Sequence, residues 1–311
     1  MGSENQMNEP KDKMYSKGKK VALVSCSNGL SVQGESQIRQ LIHCLEAMGV
    51  EPVQSPYLYA IDSVEAGTAR QRAAILMEYY RDPEIIAICD VSGGDIANEI
   101  LPYLDYCVIA ASDKMFWGYS DLTTILNAIY GKTGKASVLY QVRNLVREEY
   151  GQDRQAFADA IGKKMVPCGD SQKGVSALFE FDYEWVQNAP KQGEPLRGIV
   201  AGGNIRCLLK LAGTPYWPDM TDKILLLEAR SGGVAQMTTY LSQLQQMGVF
   251  EQVRGVLLGT FTQMEREQAQ PGIVELVRRY SGQQMPIAKT AWIGHGADSR
   301  AIAIGMDIIL K

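Results

Sequence analysis

KMFWGYSDLTTILNAIY, residues 114–130, passes within a few residues from one periodicity to another. KMFWGY reads as a short strand, and DLTTILNAIYGKTG carries a helical pattern that ends in glycines. Outward from this stretch the same alternation recurs. KVALVSCS (20–27) is an apolar strand followed by the turn SNG, and Ile38, Leu41, Ile42, Leu45 and Met48 then stand at helical spacing before Gly49. ARQRAAILMEYYRD is a second helical pattern, and EIIAICDVS (84–92) is a continuous apolar run of the kind found in a strand buried on both faces. ANEILPYLDYCVIA reads as a further helix and SVLYQV as a further strand. Strands alternating with helices predict parallel βαβ units and an α/β fold.

The rhythm fades between residues 148 and about 195, apart from a helical pattern in EEYGQDRQAFADAIGKK. It returns with GIVAGGN, a helix over IRCLLKLAG, the strand KILLLEA (223–229), the helix VAQMTTYLSQLQQMG, the strand RGVLLGTF, the helix GIVELVRRYSG, and closing strands PIAKTAW and AIAIGMDIIL. The expected organisation is a disordered tail over 1–18, a nucleophile-bearing domain over 19–165, a connecting segment over 166–195 and a smaller α/β domain over 196–311.

Composition narrows the function. The chain has 311 residues, 46% hydrophobic and 21% charged, with a formal net charge of -4. That is ordinary globular material, and an acidic chain lacks the basic face of a nucleic-acid binder. No apolar run approaches the length of a membrane helix. The polar, charged start MGSENQMNEPKDKMYSKGKK has no apolar secretory core, so a cytoplasmic protein is expected. The six cysteines, Cys26, Cys44, Cys89, Cys107, Cys168 and Cys207, form no Cys-x-x-Cys pair and read as free buried thiols. Two histidines leave no His-rich metal site; neither a metal nor another cofactor is expected.

Four features can carry chemistry. Ser120 lies where a strand turns into a helix, at the carboxyl end of a parallel strand, where open α/β sheets build sites. The Asp121 N–H at the helix start is suited to a developing oxyanion. Leu122 replaces the second glycine of a G-x-S-x-G elbow, and Ser120 also reads as a plain N-cap. Val91-Ser92-Gly93-Gly94-Asp95 is a glycine turn whose N–H groups can face a ligand, or a simple tight turn. It lacks the lysine of a P-loop. Glu228 ends the strand ILLLE, as a cleft carboxylate or a structural one. His295 sits between glycines in WIGHGADSR, whereas His43 in QLIHCLEAMG reads as a helix packing residue. Nucleophile, base and carboxylate together form an acyl-transfer set in the order Ser…Glu…His, at a solvent-accessible cleft.

At these residues the chain resembles the LD-carboxypeptidase family of serine peptidases, which includes the microcin C immunity peptidases. The resemblance runs from about Lys20 to Leu310 through SGGDIANEILPYLDY, GYSDLTTI, GGNIRCLLKLAGTPYWPD, ILLLEA, GVLLGTF and GHGADSRAIAIG. It implies a Ser120–His295–Glu228 triad and an oxyanion hole from the N–H of Asp121 and of Gly93 or Gly94. It further implies a flavodoxin-like N-terminal domain, a swivelling C-terminal domain and a homodimer. The implied reaction releases terminal D-Ala from murein tetrapeptides. A small peptide or muropeptide is thus the expected partner, and no nucleic acid or membrane. Arg143, Arg147, Arg206 and Arg230 are the candidate cations for its carboxylate. Asp95 and Ala303 depart from the family pattern, as does the segment 165–195, which shapes substrate choice. The alternatives are an amidase acting on aminoacyl-nucleotide antibiotics, with Trp185 or Tyr183 stacking on a base, and a non-catalytic ligand-binding protein.

Overall fold

The structure, a computed structural model, describes residues 20–147, 151–161, 177–191 and 194–311. The expected tail, Cys168 and most of the connecting segment's first half lie outside the described residues. Two six-stranded sheets define two α/β domains. The first contains β1 (Lys20–Val24), β2 (Glu51–Gln54), β3 (Ile85–Asp90), β4 (Met115–Gly118) and β5 (Ser137–Leu139). The second contains β6 (Glu184–Gln187), β7 (Leu196–Asn204), β8 (Ile224–Ala229), β9 (Gly255–Phe261) and β10 (Ile287–Lys289).

In the first sheet β2, β1, β3, β4 and β5 run parallel in that order. This is the flavodoxin-like order, whose direction reverses between β1 and β3 and opens a crevice at the strands' carboxyl ends. In the second sheet β7, β8, β9 and β10 are parallel and β6 is an antiparallel edge.

The chain end differs from expectation. AIAIGMDIIL is not one domain's property. β11 (Ile302–Ile304) pairs antiparallel with β5 in the first sheet, and β12 (Asp307–Leu310) pairs antiparallel with β7 in the second. Gly305, at φ +86, makes the turn between them. The second sheet therefore has as many strands as the first, and the first is completed by residues from the end of the chain. Part of the connecting segment also packs into the first domain: Leu178 is fully buried there, and its carbonyl accepts from the Ala301 N–H at 2.8 Å.

Two smaller differences have local causes. ANEILPYLDYCVIA forms a 3-10 helix (Ala97–Tyr103) and a separate α-helix (Tyr106–Ala111), with Pro102 in the first and Asp105 capping the second. β2 has exposed ends and only partly buried middle residues, so no apolar run marked it.

The helix Thr123–Thr133 lies between the sheets with Thr123 to Ile129 all buried. Its core is continuous with that of the second domain: Ile125, Leu126 and Ile129 belong to one cluster with Val200, Ile224, Leu226 and Leu257. Across this apolar seam Asn127 Nδ2 donates to Gly202 O at 2.8 Å, and Gly202 N–H donates to Asn127 Oδ1 at 2.8 Å. Asn204 N–H donates to Thr123 Oγ1 at 3.0 Å. Gly203, at φ +130, makes the approach possible, because a Cβ there would meet Thr123 Oγ1 at 2.8 Å.

Asn127→Leu keeps the volume and leaves the Gly202 N–H and carbonyl buried without partners. It is expected to cost about 3 kcal/mol or more. Urea unfolding checks this; a cost within about 0.5 kcal/mol, the range of a surface substitution, would show that the amide pair does not hold the domains.

Candidate active site

Ser120 follows β4 directly. Tyr119 is extended (φ -148, ψ 173), and Ser120 then turns to φ +55, a region costly for any residue with a Cβ. The chain enters a 3-10 helix (Ser120–Leu122) that runs into Thr123–Thr133. The strain projects Ser120 at the carboxyl end of the parallel sheet, as in a nucleophile elbow. The N-cap of the 3-10 helix is Tyr119 and that of Thr123–Thr133 is Leu122, so Ser120 stands at neither cap position. The Asp121 N–H lies in the first turn, where a helix has no acceptor of its own.

The second domain brings Glu228, at the end of β8, to the loop that carries His295. His295 Nδ1 lies 2.7 Å from Glu228 Oε2. A carboxylate only accepts, so in the neutral ring Nδ1 carries the proton and Nε2 the lone pair. His295 Nε2 is buried and has no hydrogen-bond partner among the described residues. Glu228 departs from the expected exposed cleft: its side chain is 1% exposed and that of His295 5%. The cause is close packing of neighbouring backbone, since a Cβ on Gly259 would lie 3.1 Å from Glu228 Cβ and 2.4 Å from Ile293 O. Tyr119, Ser120, Gln141, Glu228, Gly294 and Arg300 line one small cleft, and the Tyr119 ring lies 5.4 Å from that of His295.

The glycine turn after β3 faces the same end of the first sheet. Gly94 is at φ +133, and a Cβ there would lie 2.2 Å from Asn28 Cγ, so only glycine fits. The turn is held from several sides. Asn28 Oδ1 accepts from Asp95 N–H at 2.9 Å, and Asn28 N–H donates to Gly93 O at 3.2 Å. From the second domain, Arg206 donates to the Asp95 carboxylate and to Gly94 O, and Lys210 donates to Asp95 O. These contacts occupy the carbonyls and leave the Gly93 and Gly94 N–H groups without partners among the described residues. Beneath the turn Asp90 accepts from Cys26 N–H and from the Ser92 N–H and hydroxyl; burial pushes its carboxyl up to about 6.

Asp121 points its carboxylate away from the cleft. It is fully buried and accepts from Ser27 Oγ at 2.7 Å, from Ala97 N–H at 2.9 Å and from the Lys210 ammonium.

Other expected residues fall elsewhere. His43 is no packing residue: its side chain is 79% exposed, with Nδ1 3.3 Å from Glu46. Its helix buries Ile38, Leu41, Cys44 and Leu45 instead. Trp185 and Tyr183 pack edge to face at 6.0 Å, and both donate to the Lys311 carbonyl. Of the described cysteines all are free and buried except Cys107, which is exposed. Tyr119 and Arg300 were not singled out from the sequence, although Tyr119 adjoins the nucleophile candidate and Arg300 closes the His295 loop.

Residues 21–140 match the LD-carboxypeptidase N-terminal domain, and residues 197–310 match the LD-carboxypeptidase C-terminal domain. The murein tetrapeptide carboxypeptidase of Pseudomonas aeruginosa is 25% identical over 305 residues, covering 94% of this chain and 93% of its own. The microcin C7 self-immunity protein MccF of Escherichia coli is 24% identical over 264 residues, covering 78% and 75%. A solved structure of MccF in complex with glutamyl sulfamoyl guanosine shares the fold with a TM-score of 0.79, at 21% identity and covering 94% and 93%. Both domain matches fall in chain order and together cover most of the chain, which belongs to the LD-carboxypeptidase family.

Proposed function

We propose that this protein is a serine carboxypeptidase that cleaves an L-to-D peptide bond and releases terminal D-Ala from murein tetrapeptides, in the recycling of peptidoglycan within the cytoplasm. The observation that carries the reading is the 2.7 Å contact of His295 with Glu228, with Nε2 buried and, among the described residues, unpartnered near a strained serine turn. In this reading Ser120 Oγ attacks the scissile carbonyl carbon while His295 Nε2 takes its proton. Glu228 orients the ring and stabilises the imidazolium. The oxyanion rests on the N–H of Asp121 and of Gly93 or Gly94. Collapse of the tetrahedral adduct breaks the C–N bond, and His295 returns the proton to the leaving amine. Water, deprotonated by His295, then attacks the ester and regenerates Ser120.

A second reading, favoured by the likeness to MccF and its sulfamoyl nucleoside complex, is an amidase acting on aminoacyl-nucleotide antibiotics. The same acyl transfer serves both, since each breaks an amide. Trp185 and Tyr183 give the second reading little support, being engaged with Lys311. No helix among the described residues is long and apolar enough to cross a membrane. A homodimer, which light scattering would detect, completes the proposal.

Incubation with a murein tetrapeptide and with an aminoacyl-sulfamoyl adenylate, followed by mass spectrometry, separates the two readings; the tetrapeptide is expected to lose D-Ala. A binding protein without catalysis would process neither and would not react with a fluorophosphonate serine probe. Ser120→Ala and His295→Ala are each expected to reduce turnover on the order of a million-fold, and the double variant scarcely further. Glu228→Gln should cost less, about ten-thousand-fold; Glu228→Ala should in addition lose stability, because the site is buried. His43→Ala, on the solvent face, should leave both stability and turnover intact. Near-normal turnover by pure Ser120→Ala would remove the nucleophile. Exhaustive chelation is expected to spare activity, and a loss restored by zinc would overturn the serine mechanism.

A further inference from the structure

Arg143 follows β5 in a short 3-10 helix, Val142–Val146, and is half-buried. Among the described residues its guanidinium touches neutral oxygens only. Nη2 lies 3.4 Å from Tyr119 Oη, Nη1 3.4 Å from Gln37 Oε1, and Nε 3.4 Å from Gln141 Oε1. All three contacts are long for charge-assisted bonds. No carboxylate pairs with it among the described residues. A half-buried cation with five donors and no counter-charge is poorly compensated.

Its place gives that deficit a meaning. Tyr119 connects it to the site on three sides. The ring lies 5.4 Å from the His295 ring, a Cβ on Gly93 would lie 3.7 Å from Tyr119 Oη, and the same hydroxyl meets Arg143. The guanidinium is therefore one tyrosine away from the imidazole and from the glycine turn. The other cations near the site are already matched. Arg206 is paired with Asp95, Lys210 with Asp121, and Arg300 with Asp153. Arg147 has partners of its own, and Arg230 is exposed beyond β8.

We propose that Arg143 binds the C-terminal carboxylate of the substrate's leaving residue and so makes the enzyme an exopeptidase. The inference rests on the carboxypeptidase reading and names the anchor which that reading requires. In a substrate cleaved before its last residue, the carboxylate carbon is about 4 Å or less from the scissile carbonyl carbon. A planar guanidinium beside Tyr119 can take both carboxylate oxygens and fix the scissile bond over Ser120.

The test measures kcat and KM for a murein tetrapeptide and for the same peptide as its C-terminal amide, with the wild type, Arg143→Gln and Arg143→Lys. The wild type is expected to favour the acid on the order of a hundredfold. Arg143→Gln should collapse that ratio toward one, with the loss on the acid seen chiefly in KM. Arg143→Lys, a charge without the fork, should restore part of the preference. A ratio kept by Arg143→Gln, with equal losses on both peptides, overturns the assignment and makes Arg143 a packing residue. Hydrolysis of neither peptide by the wild type sinks the carboxypeptidase reading itself, a distinct result.

Discussion

A buried side-chain amide ties the first domain to the second beside the candidate site. Asn127 spends three of its four hydrogen-bonding positions on backbone: Nδ2 on Thr123 O and Gly202 O, and Oδ1 on Gly202 N–H. It imitates the rung of a parallel ladder, so β7 treats the helix behind Ser120 as though it were another strand. Because Asn127 is buried, neither side can leave without exposing unmade bonds in an apolar seam. Ser120 comes from the first sheet and Glu228 and His295 from segments attached to the second. The contact fixes where the segments that carry them lie relative to one another.

Charge is arranged with the same economy. In the proposed mechanism a carboxylate directly after Ser120 would oppose an anion forming beside it, at a few ångströms and out of water. Asp121 avoids this by turning its side chain inward, where Ser27, Ala97 and Lys210 satisfy it. The backbone N–H of the same residue has no hydrogen-bond partner among the described residues. Arg206 holds the Asp95 carboxyl below its usual range and the Gly94 carbonyl in place. The second domain thus contributes cations that fix the glycine turn and Asp121 of the first domain, besides Glu228 and the loop that carries His295.

What could be read from the sequence was what repeats or punctuates. Strands buried on both faces, such as EIIAICD, announce themselves by continuous apolarity, and helices such as Thr123–Thr133 by their spacing. Ser120, Glu228 and His295 stood out because each interrupts such a pattern at its end. Partnership was not legible. Nothing in AIAIGMDIIL says that its halves pair with different sheets, since both sheets offer an open edge to an apolar strand. β2, partly exposed, has no strong pattern to show. His43 falls on a helix whose apolar stripe passes beside it, and one side chain's facing cannot be read from a period alone. Arg143 and Arg206 look alike in sequence; only the acids near them in space tell them apart.

The crossing at Gly305 has a consequence for the order in which the protein comes into being. A ribosome delivers the chain from its N-terminus, and domains generally fold as they emerge. Here the first domain cannot close its own sheet early. The edge of β5 waits for Ile302–Ile304, made more than 160 residues after Leu139. Until then a growing chain carries an unpaired strand edge, the feature that invites pairing with a neighbour. Two residues after β11 the same segment seals β7 through β12. One short segment, made after every other strand of either sheet, therefore completes both sheets together.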